Sequence, residues 1–291
     1  MSSINTNASA MTALQSLRNT NNQMNHTQDA IATGLRVGSA KDNAAYWSIA
    51  TTMRSDNKAM STVQDALGLG SASMDVAATA IEAAIKVTDE IKAKLVAATE
   101  PGVDKAKVQA EISELQNQLT TISDSASFTG DNWLSVNSGA GDYNATKSVV
   151  SSFTRSGSAV SIGTTDVTLT DITLFDSNGA IGILDQDRTD AASSISGVVS
   201  SLDISTLTDS AADIATIEAY IQITDDAITD MTDGAAILGA TQNRVDLQKD
   251  FIGNLMDAID RGIGQLVDAD MNKESVKLQA LQVQQQLGIQ A

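Results

Sequence analysis

Cysteine is absent from this 291-residue chain, and proline and histidine occur once each, as Pro101 and His26. Lacking cysteine, the chain has no disulfide framework and no thiol nucleophile; the composition fits a reducing compartment or export in a form that needs no disulfides. A single histidine excludes the paired-histidine zinc site of hydrolases such as HExxH. Aromatic residues make up only 3% of the chain, as four Phe, two Trp and three Tyr. That is too little bulk for a thick globular core, and thin helix-on-helix packing of Ala, Leu, Ile and Met suits it better.

Basic residues are scarce as well, 18 Lys and Arg against 36 Asp and Glu, for a net charge of -18. A nucleic-acid surface needs clustered cations, and an anionic membrane surface needs the same, so both are excluded as partners. No run approaches the length of apolar sequence that spans a bilayer. The opening MSSINTNASAMTALQSL has neither a basic stretch nor an unbroken apolar one, so a cleaved Sec-type leader is not expected and any export takes another route.

What the chain does have is heptads. Tyr46, Met53, Met60, Leu67, Met74, Ile81, Thr88 and Leu95 recur every seventh residue, beside Ile49, Asp56, Val63, Gly70, Ala77, Ala84, Ile91 and Ala98. This 3-4 spacing is the seam of a long coiled-coil helix, with Gly68 and Gly70 expected to loosen its middle. Pro101-Gly102 breaks it, and Val108, Ile112, Leu115, Leu119 and Ile122 begin a second helix that folds back antiparallel across the short connection. In the C-terminal third the series Ile217, Thr224, Met231, Leu238, Val245, Ile252, Ile259, Leu266 runs without interruption. It continues less regularly through Val276, Leu278, Leu281, Val283 and Leu287. The first 35 residues carry a weaker seam of Leu14, Leu17, Met24, Ile31 and Leu35, marginal alone because little apolar area offsets the entropy of ordering it. Both ends are therefore expected to fold on a partner.

Residues 138–186 differ in texture. They are rich in Ser, Thr and Gly, with alternations such as Val167-Thr168-Leu169-Thr170 and turn chemistry at Asn178-Gly179, which predicts a small β-rich insert. The expected fold is mainly α: long antiparallel coiled-coil helices formed by the N- and C-terminal parts, with that insert on the surface. The expected divisions are 1–40 with 250–291, 41–137 with 187–249, and the insert 138–186.

One stretch, IATGLRVGSAKDNAAYWSIA at 31–50, has the look of a phosphate loop. The Gly34 to Gly38 spacing is too short, however, Lys41 is displaced, and a helix rather than a strand precedes it. The residues read instead as a joint: Gly34 ends the first helix, Gly38 supplies a turn, and Ser39 caps the next helix with Asp42 as its partner. The carboxylate pairs Asp185/Asp187 and Asp225/Asp226 read as solvated acids, and His26 as a polar contact. No catalytic, metal or cofactor site is expected.

That stretch, with GLRVGSAKDNAA at its centre, resembles the N-terminal signature of bacterial flagellins, where Gly-Leu-Arg leads into Ser-Ala-Lys-Asp-Asp-Ala-Ala. LGATQNRVDLQKDFIGNL at 238–255 resembles their Leu-Gly-Ala-x-Gln-Asn-Arg segment, and VQAEISELQNQL at 108–119 and LVDADMNKESVKLQALQVQQQLGIQA at the end match too. Tyr46-Trp47 and the short insert look more like the alphaproteobacterial flagellins than the enteric ones. The resemblance implies a subunit of the extracellular flagellar filament. Such a subunit is exported unfolded by the flagellar type III system and polymerises with copies of itself, with or without related flagellins. Its further partners would be an export chaperone, the cap and the junction proteins. The terminal helices would form an inner tube, the middle helices the next layer, and the insert would face solvent.

On this reading the polymerisation seam is Leu14, Leu17, Met24, Ile31 and Leu35 against Ile252, Leu255, Ile259 and Leu266, with Leu281 beyond. The inter-domain joint and subunit contacts are Gly34, Arg36, Gly38, Lys41 and Asp42 together with Gln242, Asn243 and Arg244. The rival within the class is the hook-filament junction protein, which shares the terminal helices. An enzyme carried between flagellin ends is excluded by an insert without histidine. Where flagellins carry Arg-Glu-Leu-Ala for an innate immune receptor, this chain has Lys92-Ala93-Lys94-Leu95-Val96, which implies weak recognition or none.

Overall fold

The computed structural model describes residues 8–157, 159–178, 181–191 and 193–290. Among the described residues five α-helices carry the fold: α1 Ala8–Thr33, α2 Ala44–Ala98, α3 Lys105–Ser125, α4 Ala211–Val267 and α5 Met271–Gln290. Between α3 and α4 lie eight strands: β1 Ser127–Phe128, β2 Asp131–Asn132, β3 Ser135–Val136, β4 Thr146–Ser156, β5 Ala159–Thr168, β6 Phe175–Asp176, β7 Arg188–Thr189 and β8 Ser196–Gly197. The chain divides into two compact units, Met1–Ser61 with Gly253–Ala291, and Thr62–Ile252.

In the larger unit the heptads are buried as the sequence predicts. Val63, Leu67, Met74, Ile81, Ile91 and Leu95 of α2 are closed off from solvent, as are Ile217, Met231, Leu238, Val245 and Ile252 of α4. Thr88 and Thr224 sit on the same seams and satisfy their hydroxyls on the helix itself, donating to Ala84 O (2.8 Å) and Tyr220 O (2.7 Å). Lys92 pairs with Asp225 and Gln242 donates to Asp75, so α2 and α4 run antiparallel. Helix α3 starts where Asp104 caps it, accepting from Lys107 N, and folds back on α2 through the Lys94–Glu111 pair. Gly102, at φ +83°, makes the turn after Pro101.

At the start of α2 the seam slips by one residue. Tyr46 and Ile49 are exposed, while Ala50 is buried and Asn57 hydrogen-bonds Asp260. A straight helix of 3.6 residues per turn drifts against a strict heptad, and the core here follows the helix.

Gly70 plays a different part from the loosening expected of it. Helix α2 continues through it, and a Cβ at that position would lie 2.8 Å from Val149 Cγ2 and closer still to Cγ1. It is the place where strand β4 lies directly on the helix. Gly234 does the same on α4, where a Cβ would come 2.7 Å from Asp171 O.

The insert differs from expectation in extent and in burial. Only β4 and β5 form a long hairpin, antiparallel and bulged between Val150 and Ser152; β1–β2, β3–β6 and β7–β8 are two-residue pairs. The described residues of 187–210, assigned to the helical part from sequence, are not helical apart from a 3-10 turn at Val199–Ser201, because α4 begins only at Ala211. Val167, Leu169, Ile172, Leu174, Leu184, Val199, Leu202 and Ile204 are all buried, so this region is part of the unit's core rather than a free surface cap. Short strands cannot close a core alone and take the helices as their second layer. Glutamines of α3 fix the segment: Gln116 Nε2 donates to Val199 O (3.0 Å), and Gln109 accepts from Ile204 N (3.0 Å) while donating to Leu202 O (3.0 Å). The predicted turn at Asn178-Gly179 ends on a residue outside the described ones.

Asp185 accepts the Asp176 amide on one oxygen (2.7 Å), while its other oxygen is buried with no partner among the described residues. Burial, and secondarily the charge of Asp176, push its carboxyl above the ordinary range. A folded-state value above the unfolded one means that stability is complete in acid and declines as pH rises through the carboxylate range towards the raised value. Asp185→Asn keeps an oxygen for the Asp176 amide and removes the charge. It is expected to melt at a higher temperature than wild type at pH 7, with the advantage gone by about pH 3.5, below the ordinary carboxylate value; equal melting at both pH values would refute the burial argument.

Candidate assembly site

The joint between α1 and α2 is made by backbone. Gly34, at φ +71°, ends α1 in the left-handed conformation that only glycine takes at no cost. The next residues pair with the end of α4: Arg36 N and Val37 N donate to Val267 O (2.7 and 3.2 Å), Ala269 N donates to Gly34 O (2.9 Å), and Leu35 bridges Asp268. Arg36 adds its guanidinium, donating to Leu266 O (2.8 Å) with its carbon 6.0 Å from the centre of the Tyr46 ring. The break between α1 and α2 is thus stitched to the break between α4 and α5.

Beneath it Val37, Ala50, Ile263 and Val267 form a small buried cluster, with Leu35, Met53, Ile259 and Leu266 packed around it. Asn57 and Asp260 tie the same two helices a few turns away.

The phosphate-loop likeness ends in the same geometry. The Gly38 and Ser39 amides both donate to Asp42 Oδ2 (3.2 and 3.0 Å), as does the Ser39 hydroxyl (3.0 Å). The donors a phosphate would need are taken by the chain's own carboxylate. Those bonds from Ser39, then Gly38 and His26, hold the Asp42 carboxyl below the ordinary range. His26 Nε2 lies 3.4 Å from Asp42 Oδ1, and Lys41 is exposed. The capping role expected of Ser39 falls to Asn43, whose side-chain oxygen accepts from Ala45 N (3.1 Å) and Tyr46 N (3.2 Å). Asp42 closes the turn before the helix instead.

The expected partner of α1 is also corrected. Leu14 is exposed, and Leu17, Met24 and Ile31 are half-buried, but α1 packs on α5 and not on the α4 seam. Gln285 Nε2 donates to Asn21 Oδ1 (2.8 Å), and a Cβ at Gly288 would lie 3.3 Å from Leu17, so α5 returns antiparallel along α1. Leu281 is buried there. Of the α4 seam residues, Ile259 and Leu266 pack on the joint cluster, Ile252 is buried in the larger unit, and Leu255 is half-buried. The reason is length: α4 ends at Val267, so a chain reversing at the joint leaves α5 as the helix alongside α1 among the described residues. Gln242, Asn243 and Arg244 are not in the joint. They lie on α4 in the larger unit, Gln242 bonded to Asp75, Asn243 donating to Gly239 O (3.0 Å) and Arg244 exposed.

Sequence reasoning expects both ends to need a partner but does not mark the apolar surface that α2 and α4 also leave uncovered. Met11, Leu14, Val276, Val283, Leu287 and Ile289 on α1 and α5 are exposed, as are Leu247 and Phe251 on α4 and Trp47 and Ile49 on α2. No helix among the described residues is long and apolar enough to cross a membrane, and no cluster there could hold a metal ion.

Long helices that leave large apolar side chains exposed are those of a self-associating structural protein. Residues 4–139 match the bacterial flagellin N-terminal helical region and residues 221–291 the bacterial flagellin C-terminal helical region. Over its whole length the chain is 47% identical to Flagellin C and 44% identical to Flagellin A of Rhizobium meliloti (strain 1021), covering 95% and 96% of them. It is also 44% identical to a flagellin of Brucella melitensis biotype 1, of which it covers 94%. The chain belongs to the bacterial flagellin family. It is a structural protein of the flagellum, serving motility, and not an enzyme; flagellins self-assemble into the filament, outside the cell.

Proposed function

We propose that this chain is exported unfolded through the flagellar type III channel, guided by a chaperone, and adds at the filament tip beneath a cap, above the junction proteins. Folding and polymerisation are coupled. Helices α1 and α5 bury little against each other, and Met11, Leu14, Val283 and Leu287 gain cover only from neighbouring subunits. Those exposed apolar side chains are the observation carrying the reading. A heterologous contact whose rotation does not close extends it into an open helical filament. Lys41 and Arg244, both exposed, are the joint-side and α4-side candidates for contacts between subunits. The inner layer of the filament is taken as 1–40 with 250–291, the next layer as the remaining helices, and the variable part as the insert.

Recognition by an innate receptor is weak or absent on this reading. Lys92 and Lys94 are held by Asp225 and Glu111, and Leu95 is buried. The alternative of a hook-filament junction protein is less well supported, since GATQNR at 239–244 follows the flagellin pattern.

Seeding purified chain with filament fragments tests the reading. Elongation is expected; short assemblies of fixed stoichiometry would favour the junction protein, and no growth would refute polymerisation. Deleting residues 1–20 or 275–291 is expected to stop elongation while leaving most of the helical circular dichroism, because the larger unit has its own core. Loss of nearly all helical signal would show that the termini do not fold separately.

A further inference from the structure

The larger unit has an apolar hollow on one face and an apolar ridge on another. The hollow, about 430 Å³, lies where α2 meets the end of α3 and is lined by Val76, Thr79, Ala80 and Ala83 with Ile122 and Ala126. Leu69 stands seven residues before Val76 and so shares that face of α2; at 55% exposure it prolongs the apolar strip. The ridge is Leu247 and Phe251, one helical turn apart on α4 and 72% and 58% exposed. Val245 and Ile252 of the same helix are buried, so the ridge lies on the side of α4 away from its seam. Small side chains floor the hollow and large ones build the ridge, the pairing by which one helix surface receives another.

Charge and chain direction say what fills the hollow. Asp75 and Glu82, both exposed, flank Thr79 on α2, four residues before it and three after. Arg244 stands three residues before Leu247, exposed and without an ion pair among the described residues. Copies in an open filament share one polarity, so α4 of a neighbour runs antiparallel to α2, as it does within the chain. Residue numbers on the two helices then run in opposite senses. Leu247 set against Thr79 brings Phe251 beside Val76 and Arg244 level with Glu82, because the spacings on the two helices match. We propose that the ridge of Leu247 and Phe251 on one copy seats in the α2–α3 hollow of its neighbour, with Arg244 on Glu82. The two patches are different surfaces, so the contact is heterologous, and its repetition extends a row of copies of one polarity instead of closing a dimer. A cation meeting an acidic rim fixes the register between two chains that are otherwise acidic and repel. This contact deepens the polymerisation reading and rests on it.

Because the chain has no cysteine, single substitutions give unique attachment points. Chains carrying Thr79→Cys and chains carrying Leu247→Cys would be elongated together from filament seeds and treated with a short bismaleimide. The control mixes Thr79→Cys with Asp246→Cys, an exposed neighbour about 100° further round α4. Covalent dimer from the first mixture is expected to exceed the control about tenfold, as for groups held in proximity rather than meeting at random. Each cysteine variant alone should give no more than the control, since the ridge meets the hollow and not itself. Placing Arg244→Glu on both chains should bring the yield down to the control, and adding Glu82→Arg should restore it. Equal yields from the two mixtures, as much dimer from Leu247→Cys alone, or no rescue by the double reversal would overturn the contact. Filaments that grow without excess cross-linking overturn this contact and leave polymerisation standing; seeds that fail to grow with the unsubstituted chain refute polymerisation and the contact with it.

Discussion

Val37→Asp is expected to unfold the smaller unit and abolish filaments while the larger unit stays folded. Val37 is buried at 5% exposure against Ala50, Ile263 and Val267, a cluster with no other fully buried members. The cluster around such a carboxylate is wholly apolar and offers it no cation. Arg36, its neighbour, is engaged with Leu266 O, and the surrounding backbone oxygens are acceptors. The cost is roughly 4 kcal/mol, the scale of an uncompensated buried charge, and exceeds what so small a cluster can absorb. Limited proteolysis should cut the variant rapidly within 8–61 and 253–290 but leave 62–252 resistant, and electron microscopy should find no filaments. Uniform resistance to protease, or normal filaments, would show that the joint cluster does not hold the unit together. Val37→Ala serves as the milder control, with a cost of about 1–2 kcal/mol and filaments retained.

The second large effect is at Gly70. In an exposed helix, Gly→Ala gains about 1 kcal/mol. Here the added methyl group would run into Val149, a β-branched and buried residue with one stiff rotamer. The overlap costs about 1–3 kcal/mol more than the helix gains, so Gly70→Ala is expected to lower the melting temperature of the larger unit by several degrees. Val149→Ala alone leaves a cavity and also destabilises. The two together remove both the clash and most of the void, and the pair should be more stable than either single variant. Additive losses in the double-mutant cycle would mean that strand β4 does not lie against the helix at this point.

Much of the α-helical framework can be read from the chain. The heptads from Met60 to Ala98 and from Ile217 to Ile252 are buried as the spacing predicts, since a coiled-coil seam is a local pattern that any antiparallel partner must respect. The break at Pro101-Gly102 and the joint at Gly34 are legible for the same reason: both rest on what single residues allow their own backbone. Pairing is less so. Helix α5 carries Met271, Val276, Leu278, Leu281, Val283 and Leu287 around its circumference rather than on one stripe, so nothing in its pattern marks it as the partner of α1. Asp42 reads as part of a helix cap because Ser39 and Asp42 have the spacing of a capping box, while the helix starts one turn later, under Asn43. Residues 187–210 lie in the stretch read as helical, yet Val199, Leu202 and Ile204 are buried outside any α-helix, with glutamines of α3 bonded to their backbone, a long-range pairing that no local pattern shows.

Composition and periodicity are enough to establish a thin helical protein with a strand-rich insert, an acidic surface, no thiol or paired-histidine chemistry, and a glycine joint near residue 34. Each of these follows from residue counts, from a repeat, or from the conformational range of one residue. Folding in three dimensions was needed to settle which helix lies on which, that Gly70 and Gly234 are seats for the insert, that the joint amides are occupied by Asp42, and that α2 and α3 leave an apolar hollow between them. Those depend on distances between residues far apart in the chain, which a local pattern does not encode.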